Sequence, residues 1–279
     1  MKGSRRHSFK SVFLLIVLCC FFVSCTSIST KTYVLESPLL KKQSTITIVL
    51  IADLHSTIHG ENQSLLIKKI TELNPDLIVL AGDIYDDIKP ITGTQLLLAG
   101  ISDIAPIFYV TGNHEYKNRN MQAIRDDLES NGVVILSDIY VKIEVGTNEL
   151  IIAGIDDPGK ANYEATEYIQ SESMEKAFRE LDSISVYTIF IAHRPEKIEL
   201  YKQYSFDLVL SGHTHGGQVR LPFINGLYAP NQGVFPKYAG GLYTHGNLTH
   251  IISRGLSISP GRPRIFNSPE LVVIIIGGQ

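Results

Sequence analysis

The stretch Ile48-Val49-Leu50-Ile51-Ala52-Asp53-Leu54-His55 decides the fold of this chain of 279 residues. Its first five residues are apolar and rich in β-branched side chains, which is typical of a buried strand. The strand stops at Asp53 and His55, two residues that bind metal ions readily. Residues two apart on an extended chain point the same way. The carboxylate and the imidazole are therefore expected to face one site.

The same arrangement, an apolar run followed by polar groups, recurs four times along the chain. In open α/β sheets, sites form in the crevice beyond the carboxyl ends of the strands. If these strands pack side by side, their polar ends converge on one site. The four further runs and the groups that follow them are Leu77–Ala81 with Asp83 and Asp86, Ile107–Val110 with Asn113 and His114, Thr188–Ala192 with His193, and Leu208–Leu210 with His213 and His215.

Helical patterns alternate with these strands, which predicts an α/β fold. Helices are expected over Ser64–Leu73, Asn120–Ser130 and about Glu164–Leu181. After His215, glycine and proline punctuate short β-like pieces, which indicates hairpins or a second sheet. The expected architecture is a pair of mixed sheets with outer helices, in a body that runs from about residue 44 to residue 279.

The polar groups after the strands supply the donors that a pair of divalent ions needs. Two ions held ~3.5–4 Å apart repel each other, so their ligands must include anions and ideally one bridging carboxylate. Imidazole suits Zn, Fe, Mn and Ni, and carboxylate and amide oxygens add harder ligands. The seven candidate metal ligands are Asp53, His55, Asp83, Asn113, His193, His213 and His215.

Five motifs, taken in chain order, resemble those of the calcineurin-like metallophosphoesterase superfamily. They are Asp-x-His, Gly-Asp-x-x-Asp, Gly-Asn-His-Glu, a lone His and Gly-His-x-His. Three further segments, Gly154–Pro158, Ser211–Pro222 and Ser253–Leu256, resemble the membrane-associated bacterial subgroup called YkuE-like phosphoesterases. This resemblance implies the calcineurin-like fold, in which two mixed β-sheets pack as a sandwich with flanking helices (αββα).

The resemblance also implies how the candidate ligands divide between two metal ions. Asp83 would bridge both ions. Mn²⁺ is the expected metal, with Fe and Zn as alternatives. The ligands of one ion would be Asp53, His55 and His215, and those of the other Asn113, His193 and His213.

Two residues are implied in proton transfer. His114 matches the histidine of this superfamily that protonates the leaving oxygen while a hydroxide bridging the metal ions attacks phosphorus. Asp86 matches the carboxylate that orients this histidine. Its neighbour Asp87 competes for that role, and the motif spacing favours Asp86.

Three polar residues outside the motifs are candidate substrate contacts. Asp156 is expected to line the cleft, and a turn before Pro158 is the alternative. Arg194 and Arg254 are candidates for binding a phosphate or carboxylate, with structural salt bridges as the alternative. His59 is expected at the surface or in the pocket lining, and not among the metal ligands.

The N-terminus has the pattern of a leader. Basic residues precede the wholly apolar run Val12–Val23, which is shorter than the ~20 residues of a membrane span but suits a signal peptide. Ser24-Cys25 resembles a bacterial lipoprotein site with Cys25 acylated; an uncleaved anchor and a plain cleaved signal are the alternatives. Residues 1–25 are therefore expected to be a leader or anchor and residues 26–43 a linker, so that the body associates with a bacterial membrane, on either side of it.

Composition narrows the substrate class. A net charge of −3 and a pI near 6.3 disfavour nucleic acid as the main partner. The family resemblance implies a small-molecule phosphoester or a lipid pyrophosphate as the substrate. The resemblance makes UDP-2,3-diacylglucosamine, cleaved at its pyrophosphate in lipid A synthesis, the specific expectation. The alternatives are an exported broad-specificity phosphodiesterase or phosphomonoesterase, and a catalytically silent envelope-binding lipoprotein. The silent protein would have lost a metal ligand or the acid, and this chain retains them all.

Overall fold

The computed structural model describes residues 27–118, 120–164, 168–221, 223, 225–258 and 264–279. The predicted leader, with Cys25, lies outside these residues. Among the helices within these ranges, none combines the length and the apolar character that crossing a membrane requires.

The first sheet places parallel strands next to an antiparallel one. Its strands are β1 (Ser29–Ser37), β2 (Thr45–Ile51), β3 (Leu77–Ala81), β4 (Ile107–Val110), β5 (Val134–Ile135) and β14 (Glu270–Gly278). They are ordered β1-β14-β2-β3-β4-β5. Strands β2 to β5 run parallel to one another, whereas β14 runs antiparallel to β2 and parallel to β1.

The second sheet repeats this mixed design. Its strands are β6 (Ile139–Val145), β7 (Asn148–Gly154), β8 (Tyr187–Ile191), β9 (Leu208–Ser211), β12 (Gly241–His245) and β13 (Leu248–Ile252). They are ordered β12-β13-β9-β8-β7-β6, with the four central strands parallel. A separate small hairpin joins β10 (Tyr228–Ala229) to β11 (Gly233–Val234).

The three predicted helices form, one of them shortened, and the described residues contain four further α-helices that were not predicted. The α-helices are α1 (Ser64–Leu73), α2 (Thr92–Ile101), α3 (Asn113–Lys117), α4 (Met121–Ser130), α5 (Lys160–Glu164), α6 (Gln170–Phe178) and α7 (Ile198–Tyr201). Asn120 caps α4, because its side chain accepts a hydrogen bond from the backbone of Ala123. The helix expected over 164–181 is shorter: it is α6 followed by the 3-10 turn Arg179–Ser183.

Three apolar layers hold the sheets and helices together. Strand β2 contributes to two of them, because Ile48 and Leu50 pack between the sheets while Val49 and Ile51 pack under the helices. Such a strand is buried on both faces, which explains its unbroken apolar sequence. Helices α1, α2 and α4 cover the first sheet, and α6 and α7 cover the second. The molecule is therefore the expected αββα sandwich.

The predicted linker over residues 26–43 is wrong where β1 forms. Residues Ser29–Ser37 pair with β14 along its whole length. Most side chains of β1 are exposed, and Tyr33 and Leu35 pack at the border of the inter-sheet core. An edge strand with one solvated face needs no apolar run, so its sequence resembles a linker. Among the described residues, the folded body therefore includes β1 and the buried Ile28 before it, and does not start at residue 44.

The carboxyl ends of the central strands meet across the two sheets. The strands expected to lie side by side belong to different sheets, with β2, β3 and β4 in one and β8 and β9 in the other. His193 Nδ1, after β8, donates a hydrogen bond of 2.8 Å to the carbonyl of Ala81 at the end of β3. A Cβ on Gly212, after β9, would lie 2.6 Å from the Cβ of Ala52, after β2. One edge of the sandwich thus gathers the polar groups of both sheets.

Candidate metal centre

The backbone turns sharply at the strand ends that carry the candidate ligands. Five of the ligands have a left-handed backbone conformation, which residues other than glycine rarely adopt and which folds retain mainly at functional sites. This conformation turns the chain within one or two residues of each strand. The five φ angles are 48° at Asp53, 47° at His55, 52° at Asp83, 72° at His213 and 48° at His215.

The first group of ligands comprises Asp53, His55 and His215. Their donor atoms all lie within 4.8 Å of one another. His215 Nε2 is 3.7 Å from Asp53 Oδ1, and the rings of His55 and His215 stack with centroids 5.2 Å apart. His55 Nε2 is buried and has no hydrogen-bond partner among the residues that the structure describes. A buried nitrogen without such a partner is costly unless it binds something else.

The second group comprises Asp83, His193 and His213, whose donor atoms also lie within 4.8 Å of one another. His193 Nε2 is 3.2 Å from Asp83 Oδ2 and 3.2 Å from His213 Nδ1. Asn113 follows β4, and its Oδ1 is also buried without a hydrogen-bond partner in the described part of the chain. Asp83 Oδ2 also lies 3.7 Å from His55 Nε2 in the first group. Asp83 therefore occupies the position between the groups that a bridging ligand needs.

The charges in this cluster favour bound cations. Burial raises the pKa of Asp53 to about 6, although His193 opposes this rise. Burial by itself would lower the pKa of His193, but the neighbouring carboxylates of Asp83 and Asp53 outweigh it and raise this pKa to about 10. The carboxylates thus hold positive charge inside the sandwich. Together with the two buried atoms that lack hydrogen bonds, this donor set fits divalent metal ions.

Each of the four histidine ligands contacts a neighbouring oxygen through its other ring nitrogen, which fixes the direction of the donor atom, and for His55 this oxygen belongs to Asp86. His193 Nδ1 donates to the Ala81 carbonyl, as described above. His213 Nε2 lies 2.9 Å from Asn231 Oδ1 and donates to it. His215 Nδ1 lies 3.3 Å from the hydroxyl of Ser257.

Glu115 holds the loop that carries Asp83. Its buried carboxylate accepts hydrogen bonds from the backbone N–H groups of Asp83, Ile84, Tyr85 and Gly112, at 2.7–3.1 Å. The sequence shows this glutamate within the Gly-Asn-His-Glu motif but does not reveal what it does. These four hydrogen bonds to one carboxylate hold the ends of β3 and β4 together.

Asp87, and not Asp86, contacts the candidate proton donor. His114 Nδ1 is 2.6 Å from Asp87 Oδ1, whereas Asp86 Oδ2 lies 3.4 Å from His55 Nδ1. The Asp86 carboxylate also accepts the backbone N–H groups of Ile88 and Lys89, and one of its oxygens lies within 4.8 Å of a ring nitrogen of His114. The prediction that Asp86 orients His114 is therefore wrong, because the competing Asp87 makes that hydrogen bond.

The environment of His114 suits transfer of a proton at its free nitrogen. Burial lowers the pKa of His114, while the Asp83 charge and the hydrogen bond to Asp87 oppose this shift. The backbone N–H of His114 donates to Asp83 Oδ1 at 2.8 Å. The histidine is thus fixed to the carboxylate between the two ligand groups, and Nε2 remains for the substrate.

Two of the three predicted substrate residues have structural roles instead. Asp156 is fully buried and binds Thr111, Ser137 and Lys160 through its carboxylate. Arg254 forms a salt bridge with Glu270 at 2.6 Å and lines a separate cavity. Both polar groups bind neighbouring protein groups, and a single sequence does not show such partners.

The third predicted substrate residue, Arg194, lies at the rim of the metal centre. Its Nε and Nη2 donate to Asp157 at 2.6 and 3.0 Å, and its Nη1 donates to Asn231 at 3.0 Å. Asn231 in turn accepts from His213. Arg194 therefore supports a metal ligand through Asn231, and its contact with substrate stays a prediction.

His59 is buried, contrary to the expected surface or pocket position. Its Nε2 lies 3.0 Å from the carbonyl of Leu256.

A cavity of about 800 Å³ opens over the ligands. Volumes of roughly 300–1,000 Å³ are usual for sites that bind small molecules. Its wall includes the two cations Lys117 and Arg194 and the aromatic ring of Tyr228. An anionic molecule much larger than inorganic phosphate fits this space.

The profile of the family described as calcineurin-like phosphoesterase matches residues 46–217, which contain all seven candidate ligands. The chain belongs to the calcineurin-like phosphoesterase family. It is 30% identical over 254 residues to the uncharacterized metallophosphoesterase Cj0846 of Campylobacter jejuni, covering 89% of this chain and 63% of that protein. It is 27% identical over 222 residues to the uncharacterized metallophosphoesterase YkuE of Bacillus subtilis, covering 77% and 73%.

Solved structures support the fold of this phosphoesterase. The NAD nucleotidase NadN of Haemophilus influenzae superposes with a TM-score of 0.53 at 16% identity, covering 77% of this chain and 46% of that one. The sulfate thiohydrolase SoxB of Thermus thermophilus gives a TM-score of 0.52 at 12% identity, covering 85% and 57%. The family and the ligand cluster together make the chain a metal-dependent hydrolase of the YkuE-like group.

Proposed function

We propose that this phosphoesterase associates with a membrane and cleaves a phosphoester or pyrophosphate with two divalent metal ions, Mn²⁺ first among them. The observation that carries the proposal is the position of Asp83. Its carboxylate lies between two groups of ligands and also accepts the backbone N–H of His114. One side chain thus links both candidate ion sites to the candidate proton donor.

Bound ions would supply Lewis acidity and a water molecule of lowered pKa. The remaining work belongs to the side chains of this protein. Asp87 holds His114 through Nδ1, so that Nε2 can pass its proton to the leaving oxygen. Lys117 and Arg194 at the cavity wall attract the phosphate charge.

UDP-2,3-diacylglucosamine is the substrate that we propose first. The size of the cavity supports a substrate with a nucleoside or sugar beside the phosphates. The apolar leader in the sequence supports a substrate that resides in a membrane. A second candidate, an exported phosphodiesterase or phosphomonoesterase of broad specificity, shares the same metal centre and differs only in its substrate.

Hydrolysis by the full chain in mild detergent tests the proposal. The protein would be stripped of metal and restored with Mn²⁺, then assayed on bis-p-nitrophenyl phosphate, p-nitrophenyl phosphate and UDP-2,3-diacylglucosamine. His114→Ala and Asp83→Ala serve as inactive controls, and His245→Ala serves as the matched histidine control away from the ligands.

Mn²⁺-dependent cleavage of the UDP-lipid, lost in both inactive controls and kept in His245→Ala, is the expected result. Cleavage of the artificial esters alone would replace the lipid substrate with the broad-specificity activity. A folded protein that binds Mn²⁺ and cleaves none of the three substrates would overturn the proposal in favour of a silent binding protein.

A further inference from the structure

The first strand of the described chain, β1, begins at the edge of the sandwich that carries the metal centre. Ser29, the first residue of β1, pairs with Glu270, the first residue of β14. Because β14 is antiparallel to β2, the first residue of β14 lies beside the last residues of β2. Ser29 and Glu270 therefore lie at the end of β2 that precedes the ligand Asp53. The contacts agree: Arg254 Nη2 lies 3.4 Å from the Ser29 hydroxyl, and a Cβ on the next residue, Gly255, would lie 2.6 Å from the Cβ of Asp53.

The sequence before β1 contains the candidate membrane attachments. Residues 1–26 lie outside the described part, and their sequence includes the apolar run Val12–Val23 and Cys25. Cys25 precedes Ser29 by four residues, a distance that a fully extended chain spans in roughly 14 Å. Attachment at either feature therefore keeps the metal-centre edge close to the bilayer.

Exposed apolar side chains lie in the wall of the cavity and on the chain segment from residue 221 to residue 235 that passes beside it. Phe223 is fully exposed, and Phe235, Val234 and Tyr228 are 64%, 63% and 53% exposed. Tyr228 lines the cavity, and so does Ile88, which is 89% exposed. The apolar rim is defined by Ile88, Leu221, Phe223, Tyr228, Val234 and Phe235.

The loop of the apolar rim is held against the metal centre. Leu227 donates its backbone N–H to the carbonyl of Gly217, two residues after His215, and Phe235 donates to the carbonyl of Leu227. Asn231, between β10 and β11, accepts from the ligand His213. The exposed side chains thus project from a segment whose position relative to the cavity is fixed.

A lipid bilayer matches the chemistry of this surface. Several large, exposed apolar side chains on one short segment beside a cavity are typical of a binding surface. Aromatic rings of this kind settle at the boundary between headgroups and acyl chains. Lys117 in the cavity wall and the exposed Lys237 beside the loop add positive charge, which anionic headgroups attract.

We propose that the apolar rim inserts between lipid headgroups and turns the cavity toward the bilayer, so that a phosphoester carried on a lipid reaches the metal centre from the membrane surface. The inference rests on the membrane association in the proposed function and specifies which surface makes it. It also explains why the start of β1, the rim and the ligands share one edge.

Tryptophan fluorescence tests this orientation cleanly, because the chain contains no tryptophan. Phe223→Trp and Phe235→Trp place a single probe on the apolar rim. Leu39→Trp is the matched control, because Leu39 is 41% exposed and follows β1 at the opposite edge. Each full-length variant would be mixed with phosphatidylethanolamine–phosphatidylglycerol vesicles whose acyl chains carry bromine, which quenches tryptophan inside the bilayer.

The expected result is a blue shift and loss of most of the emission at positions 223 and 235, with the emission at position 39 unchanged. Equal quenching at all three positions, or none at positions 223 and 235, would overturn the orientation. A blue shift that depends on protein concentration without vesicles would assign the rim to a second copy of the chain instead. Mn²⁺-dependent hydrolysis of bis-p-nitrophenyl phosphate by the same samples separates these outcomes from a failure of the phosphoesterase function.

Discussion

At the scale of single residues, Asp87 is predicted to support proton transfer by His114, and Asp86 to support metal binding by His55. We expect Asp87→Asn to lower kcat roughly 10–100-fold with little change in Mn²⁺ affinity, because His114 loses the charge that holds its Nδ1 proton. Asp86→Asn should weaken Mn²⁺ binding instead, since Asp86 contacts the ligand His55. Steady-state kinetics at saturating Mn²⁺ and calorimetric metal titrations measure both effects. The reverse pattern would restore Asp86 as the partner of His114.

Asn231 is predicted to position the metal ligand His213. Removing such a supporting group typically costs 10–100-fold in metal affinity, and we expect a loss of about this size for Asn231→Ala. Asn225→Ala is the matched control, because Asn225 lies on the same loop but binds Arg220 and Tyr243. Calorimetric titration with Mn²⁺ measures the difference. Equal affinities in the two variants would limit Asn231 to holding the loop.

The sequence predicted the candidate metal ligands better than it predicted the residues that hold those ligands in place. Each ligand directly follows an apolar strand, so strand position and motif spacing together bring Asp53, Asp83 and His193 into contact range. Asn231 lies 18 residues beyond His213 in a loop without periodicity, and no motif connects the two. Which of Asp86 and Asp87 contacts His114 depends on the backbone turn that carries both carboxylates. The motif spacing does not specify the direction of that turn.

At the scale of elements, β1 is predicted to protect β14. Deleting residues 28–43 would leave the backbone edge of β14 unpaired and uncover a strand whose first five side chains are buried. We expect a lower melting temperature and aggregation in light scattering, whereas deleting residues 1–26 should leave the melting temperature unchanged. Equal stability of the two shortened proteins would show that β1 contributes little.

His250 makes the pairing of β13 with β9 sensitive to acid. Its side chain is fully buried, with Nε2 3.1 Å from the Ser211 hydroxyl, and burial lowers its pKa to about 3. The unfolded chain takes up a proton below a pH of about 6.5, while the folded protein keeps His250 neutral. The free energy of unfolding therefore falls as the pH drops from about 6.5 toward 3, by about 2 kcal/mol at pH 5.

Urea unfolding at pH 7 and pH 5, in the presence of EDTA, measures this dependence on His250. The variant His250→Gln keeps a hydrogen-bonding side chain but does not titrate, so its free energy of unfolding should fall less between the two pH values. An identical fall in wild type and variant would assign the acid sensitivity to other groups.

Elements with unbroken apolar sequences were predicted nearly to the residue. Strands β3 and β4 match the expected ranges because complete burial imposes a continuous apolar pattern, and helix α1 matches because its apolar residues recur at helical spacing. Strand β1 was missed because hydrogen bonds to β14, rather than burial of its own side chains, keep it in place. The sequence around residues 29–37 does not show which strand will lie beside it.

At the scale of the whole molecule, the two sheets of the sandwich meet at one edge, where both contribute candidate metal ligands. Each candidate ion would tie both sheets together, since Asp53 and Asp83 follow strands of the first sheet and His193, His213 and His215 follow strands of the second. The sequence predicted this edge, because all these groups follow strand ends. It predicted two sheets but not that the five ligand-bearing strands divide between them, since local patterns do not specify strand neighbours.

This arrangement predicts that metal binding stabilises the entire fold. A ligand at 100 times its dissociation constant adds about 2.7 kcal/mol to the free energy of unfolding, which corresponds to roughly 5–10 °C in the melting temperature of a domain this large. We expect Mn²⁺ to raise the melting temperature of the metal-stripped wild type by this amount. Asp83→Asn should abolish the rise, because it removes the carboxylate that both ligand groups share, whereas His245→Ala should retain it. A wild type that Mn²⁺, Fe²⁺ and Zn²⁺ all fail to stabilise would mean that the ligands of the two sheets do not close on an ion together.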